Sequence, residues 1–183
     1  MRRNLHNRWR NLLQMLLVVA SLPGAAAVVA AESATVAAPE AAVRAALVFN
    51  FLKFTEWPAE AADDTHLHVC IASGDPELLA VMETLNARQV HGKAVLITSF
   101  RQQADCDVIY VDSRQRWNSI TEKPGQPHAL TISGYAGFVA DGGMIEIVLQ
   151  QGGSRFDINL GAAKRAELRL YPQLLKMARR IVE

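Results

Sequence analysis

Between Glu40 and Glu56 the large apolar residues fall at Val43, Leu47, Phe51 and Phe54, spaced four, four and three apart. That spacing puts them on one side of a helix and predicts a stripe facing the core. A second apolar group, Val48, Phe49 and Leu52, lies on another side of the same helix, with Asn50 and Lys53 as the polar strip between them. A helix that is apolar on two sides needs two covers, either a second element of its own domain or another polypeptide. Trp57-Pro58 ends the helix, because proline disfavours the helical region for the residue before it. The stretch 59–65, with Glu60, Asp63 and Asp64, reads as an acidic loop.

From His66 the period changes from helical to alternating. Leu67, Val69 and Ile71 take one side, His66, His68 and Cys70 the other, as in a strand. Gly74-Asp75-Pro76 then supplies a turn, a capping carboxylate and a proline suited to a first helical position, and Leu78 to Leu85 continues as a helix. Strands are predicted at 94–100 and 107–112, the latter with a Val-Ile-Tyr-Val run of the kind buried on both faces. A short helix with Trp117 and a strand at 129–133 follow. The order so far argues for a sheet at least partly parallel.

The C-terminal part differs. Met144 to Gln150 and Ser154 to Leu160 alternate around a glycine-containing turn and predict an antiparallel hairpin at the sheet edge. In its second arm Phe156, Ile158 and Leu160 face the core, while Arg155, Asp157 and Asn159 form a polar side, either a ligand or partner surface or a solvated strand face with Asn159 capping the next helix. A short helix near 162–167 and a longer one from Pro172, striped with Leu174, Leu175, Ala178, Ile181 and Val182, complete the chain. The predicted fold class is α/β: a single domain with a mixed, mostly parallel sheet, helices on both faces and a C-terminal antiparallel hairpin.

The N-terminus changes the picture. Arg2, Arg3, Arg8 and Arg10 precede an apolar run from Leu12 to Leu22, and small residues at Ala25, Ala27, Ala30 and Ala31 follow. This is the order of an export signal, with cleavage expected after Ala27 or Ala31. The organisation expected is therefore a signal peptide at 1–31, a linker at 32–38 and the α/β domain at 39–183, opened by Pro39, with the mature protein in the periplasm of a Gram-negative cell. The apolar run falls short of the ~20 residues that span a bilayer, and no later segment reaches that length, so no direct membrane insertion is expected after cleavage. Loss of the four arginines takes 19 basic residues to 15 against 18 acids, near −3, which gives no reason to expect nucleic acid as a partner.

An even pair of cysteines, Cys70 and Cys106, in an oxidising compartment favours a disulfide over two buried free thiols. His66, His68 and Cys70 alternate on one flat strand and converge poorly on a metal, and no metal or other cofactor is expected. There is no G-x-S-x-G elbow and no H-E-x-x-H, and Gly142-Gly143 enters a strand rather than a helix, so nucleophilic, zinc and phosphate-loop chemistry all lack a carrier. Catalytic residues are expected to be absent. Gly74 and Asp75 stand where open α/β sheets tend to bind ligands, though capping alone explains them.

Two stretches carry a resemblance: VRAALVFNFLKFTEWPAE at 43–60 and GFVADGGMIEIVLQQGGSRFDINLGAAKRAELRLYPQLLKMA at 137–178. Together they resemble the YfiR-like family of periplasmic repressors of membrane diguanylate cyclases. The family's F-x-K-F-x-x-W-P is matched by Phe51, Lys53, Phe54, Trp57 and Pro58. Its distal G-G-M-I and F-x-I-N are matched by Gly142 to Ile145 and by Phe156, Ile158 and Asn159, and its leucine-rich last helix by Leu174 and Leu175. Cys70 and Cys106 also fit the family's cysteine placement, which strengthens the disulfide. Tyr171-Pro172 departs from it, since serines usually lead into that helix. The resemblance implies a non-enzymatic regulator that binds the periplasmic domain of a membrane-bound GGDEF diguanylate cyclase and lowers cyclic di-GMP signalling, and with it biofilm formation. Val48, Phe49, Leu52 and Trp57 are the expected partner or homodimer surface. The alternative is a stand-alone periplasmic module whose crevice binds a nucleotide or an amino acid.

Overall fold

The computed structural model describes residues 29–58, 65–101, 105–122, 128–150 and 153–183, with side chains from residue 40 onward. The basic and apolar regions of the expected signal peptide lie outside the described residues, as do most of the expected acidic loop and the tip of the C-terminal hairpin. The chain divides into a short unit, Met1–Ala34, and a body, Thr35–Glu183.

Helix α1 runs Val29–Lys53 and starts earlier than Pro39. The Ala-rich stretch before the proline has high helix propensity and is drawn into the element. At its other end Thr55 Oγ1 donates to the Phe51 carbonyl at 2.8 Å, and β1 (Thr55–Glu56) follows at once. Then come β2 (His66–Ala72), α2 (Pro76–Glu83), β3 (Gln89–Val90), β4 (Lys93–Ser99), β5 (Val108–Val111), α3 (Arg114–Thr121) and β6 (Leu130–Ser133). The C-terminal part is β7 (Ile145–Gln150), β8 (Gly153–Asn159), α4 (Leu160–Arg165), β9 (Arg169–Leu170), α5 (Pro172–Met177) and β10 (Arg180–Val182).

Eight strands form one sheet in the order β10-β8-β7-β6-β5-β2-β4-β3. The neighbours β4, β2, β5, β6 and β7 are parallel, with Val69 opposite Val108 and Val108 opposite Leu130. The hairpin β7–β8 is antiparallel, with Ile147 opposite Phe156. A separate antiparallel pair joins β1 to β9 through Thr55 and Leu170. The fold class is as expected: a single mixed α/β domain, mostly parallel, with a C-terminal antiparallel hairpin.

Alternation along the strands sends side chains to two faces. Leu67, Val69, Val95, Ile97, Val108, Tyr110, Leu130, Ile132, Ile145, Ile147, Phe156 and Ile158 meet residues from α1, α2, α4 and α5 in one cluster. On the other face Cys70, Ile109 and Val111 meet Trp117 of α3 and Phe138, whose rings pack edge to face at 4.9 Å. Helices therefore cover both faces, though α3 covers the second almost alone.

Two expectations about helices are overturned. The side of α1 that packs on the sheet is Ala41, Ala45, Val48 and Leu52, with Phe51 beside them; Val48 and Leu52 are fully buried and so belong to the core, not to a partner surface. Ala41 and Ala45 are the reason: small residues let the helix lie close to the sheet, and a pattern weighted by large side chains overlooks them. Of the stripe assigned to the core, Phe51 is buried as expected and Leu47 and Phe54 pack half-buried against the core, while Val43 turns outward at 39 % exposed. The second correction concerns the C-terminus. The helix from Pro172 stops after Met177, and residues 180–182 form a strand parallel to β8, with Ile181 opposite Ile158. The edge of the sheet is β10, not the hairpin, because backbone pairing with β8 outweighs the helical spacing of Ile181 and Val182.

Candidate functional site

The strand order fixes where a crevice forms. The connection from β2 through α2 leads to β4 on one side, and the connection from β5 through α3 leads to β6 on the other, so β2 and β5 are neighbours whose chains leave in opposite directions. Outside the carboxyl ends of such strands, open α/β sheets leave a cleft. Here a cleft of ≈ 260 Å³ is lined by Ser73, Asp75, Glu77 and Leu78 after β2, by Tyr110 and Asp112 at the end of β5, by Gly134 after β6, and by Glu40, Ala41 and Arg44 of α1.

Its polar groups are held in place. Arg44 forms an ion pair with Glu40 one helical turn away and donates from Nη1 to the Tyr110 hydroxyl at 3.3 Å. A Cβ at residue 134 would overlap that guanidinium, so glycine is what makes room for it. Burial by itself would lower the Arg44 pKa; Tyr110 and Glu40 outweigh it, and the guanidinium stays charged. Burial raises the Tyr110 hydroxyl, against the pull of Arg44. Asp112 Oδ2 accepts from the Gly74 N–H at 2.9 Å. Burial pushes this carboxyl up, but the Gly74 N–H, the Ser113 and Ser73 hydroxyls and Arg116 together hold it below the ordinary carboxylate range. Asp75 caps α2, accepting from the N–H groups of Glu77 and Leu78 at 2.9 and 3.3 Å.

The residues singled out in the sequence are not brought together. Cys70 and Cys106 are joined in a disulfide, buried against the second face. Phe49 is half-buried with the Arg88 guanidinium 3.8 Å above its ring, and Trp57 donates from Nε1 to the Asp107 carbonyl at 2.9 Å, so both are engaged inside the molecule. Of the polar side of β8 only Arg155 is exposed. Asp157 is fully buried and is a correction to the expected surface: Arg179 and Arg180, brought alongside by β10, close over it. Asn159 caps α4, accepting from the Ala162 N–H at 2.9 Å. Among the described residues no group of three or more His, Cys, Asp and Glu side chains is placed to hold a metal ion.

Sequence reasoning missed Arg44, Tyr110, Asp112 and Gly134. Gly74 and Asp75 were the available signal, since the strand end they follow is one wall of the cleft. Finding the other walls required knowing that β5 lies beside β2.

The family model of YfiR/HmsC-like proteins matches residues 41–179. The chain belongs to the YfiR/HmsC-like family. That match takes in α1's core residues, the eight-stranded sheet except β10, and the disulfide. The family is one of periplasmic regulators. Among solved structures, a conserved domain protein from Vibrio cholerae O1 biovar El Tor str. N16961 is 14 % identical, with a TM-score of 0.47 over 77 % of this chain and 60 % of that one. The ABC domain in complex with L-Trp from Streptococcus pneumoniae is 12 % identical, with a TM-score of 0.42 over 64 % of this chain and 55 % of that one. The chain thus spans about 60 % of the length of the first of these and about 55 % of the second. Among the described residues no helix of this YfiR/HmsC-like chain is long and apolar enough to cross a membrane.

Proposed function

We propose that this YfiR/HmsC-like chain is a non-enzymatic periplasmic regulator that binds the periplasmic domain of a membrane-bound GGDEF diguanylate cyclase and holds the cyclase off. The observation that carries the reading is the family match over residues 41–179. A repressor of this type works by differential affinity: it binds the inactive cyclase more tightly than the active one, since equal binding would shift nothing.

The fold offers a surface for such contact. With Val48 and Leu52 buried, the outward side of α1 presents Val43, 39 % exposed, and half-buried Leu47, and this side replaces the one expected from the sequence. Phe49 and Trp57 contribute only at its margins. Pairing of two copies through the same side is a second use of the surface.

The test is a titration of the cyclase's periplasmic domain with the purified exported chain. The native protein should bind. Val43→Asp, at an exposed position, should weaken binding about tenfold or more while melting at the native temperature, a loss of ~1.4 kcal/mol. Absence of binding by the native chain would defeat the reading. Unchanged affinity in Val43→Asp would move the interface off α1.

A further inference from the structure

The cleft at the carboxyl ends of β2, β5 and β6 has a composition that capping and packing do not require. One wall is apolar, made by Ala41, Leu78 and the Tyr110 ring. The polar lining is of both signs, with Arg44 and Glu40 on α1 and the other three carboxylates on the segments after β2 and β5. The Arg44 guanidinium, with a side chain only 18 % exposed, rises from α1. Asp75 and Glu77 come from the cap and first turn of α2, and Asp112 from just after β5.

Two features show groups prepared for something not supplied by the fold. Arg44 is seated over Gly134 and braced by Tyr110, yet the carboxylate that faces it, Glu40, is itself 46 % exposed and attached to the same helix. An i,i+4 pair whose carboxylate is this exposed is readily exchanged for another carboxylate. Asp112 Oδ1 is buried and has no donor in hydrogen-bond geometry; Arg116 Nε is 3.0 Å away, near enough for ion pairing but misdirected. That oxygen is ion-paired but not hydrogen-bonded, so a donor brought by a ligand would satisfy it.

We propose that this cleft binds a small ligand with one carboxylate and at least one ammonium group, of the basic amino acid type, its carboxylate on Arg44 and its ammonium groups on Asp112, Asp75 and Glu77. The lining carries four carboxylates and the Arg44 guanidinium, with Arg116 paired to Asp112 from beside it, and this excess of negative charge disfavours a dianion and favours a ligand with net positive charge. The volume of ≈ 260 Å³ lies just below the usual range for ligand pockets and limits the ligand to a short stem, which Ala41 and Leu78 would cover. Because one wall is α1, the helix whose outer side is the proposed cyclase contact, occupancy bears on the regulator's own surface.

The inference goes beyond the cyclase reading and is tested without the cyclase, so that either can fail alone. The purified exported chain is titrated calorimetrically with L-ornithine, with 1,4-diaminobutane, which lacks the carboxylate, and with pentanoate, which lacks the amines. L-ornithine should bind, and each fragment should bind at least about tenfold more weakly. Arg44→Gln and Asp112→Asn should each lower ornithine affinity about tenfold, and Gly134→Ala should reproduce the arginine variant by displacing the guanidinium. Arg155→Gln, outside the cleft, should change nothing. Should the Arg44 variant fail to fold, exposed Glu77→Gln keeps the test decisive, with a several-fold loss for ornithine. No binding of ornithine at concentrations on the order of 10 mM would overturn the proposal. So would binding indifferent to these cleft substitutions, or diaminobutane binding as tightly as ornithine.

Discussion

Arg179 holds Asp157 through two parallel hydrogen bonds, Nε to Oδ1 at 2.8 Å and Nη2 to Oδ2 at 2.7 Å, over a carboxylate with no exposed surface. Arg180 adds a third contact to Oδ2 at 3.1 Å from Nε. These bonds fasten β10 to β8 and bring the end of the chain back onto the sheet.

The first prediction concerns acid. The hydrogen bonds from Arg179, and then the charges of Arg179 and Arg180, outweigh burial and hold the Asp157 carboxyl below its ordinary value. A depressed folded-state value means that the stabilisation is fully present above the unfolded pKa, about 3.9, and is lost as pH falls through the folded one. Asp157→Asn removes the charge at every pH. Urea unfolding should show the native chain more stable by on the order of 2 kcal/mol at neutral pH, with the gap closing below about pH 4. A gap that persisted at low pH would show that the pair does not act through ionisation.

A second prediction separates the two sides of α1. Leu52→Ala empties a fully buried site and should cost about 2–5 kcal/mol, read from the urea midpoint. Val43→Ala, at an exposed position on the outer side, should change stability by no more than about 0.5 kcal/mol. Equal losses would mean that the helix is turned differently against the sheet.

The disulfide supports a third. Cys70 and Cys106 lie 36 residues apart in sequence, and closing that loop in the unfolded chain contributes about 4 kcal/mol on the chain-entropy account. The Cys70→Ser, Cys106→Ser double variant should melt well below the native protein. Both sulfurs are buried, so reductant added to the folded protein should act slowly and only through unfolding. Melting temperatures that match with and without the bond would contradict this.

Removing residues 180–183 is the fourth. It strips β10 and one of the two arginines that hold Asp157, leaving the outer edge of β8 unpaired with a buried carboxylate beside it. Light scattering should show association of the truncated chain that the native one lacks, as exposed edges invite.

Much of this architecture was legible in the residues. The alternation of Leu67, Val69 and Ile71, the Asp75-Pro76 helix start and the Val-Ile-Tyr-Val run are local signals, and the structure keeps each of them as strand, cap and buried strand. What failed was decided at a distance. Alanines 41 and 45 read as neutral in the sequence but define the core side of α1 because the sheet comes close there. Residues 180–182 carry helical spacing yet each pairs with a residue 23 positions earlier, which no local window registers. The cleft was half legible. Asp75 marked one strand end, whereas Arg44 and Asp112 meet only through the strand order.

The central claim is repression of a cyclase, and the most direct measurement is cellular cyclic di-GMP in a strain that carries the cyclase with this chain deleted, restored, or restored as Val43→Asp. Deletion should raise the level, the native chain should return it to baseline, and the variant, exported in equal amount, should leave it high. A level that does not respond to deletion would contradict the account.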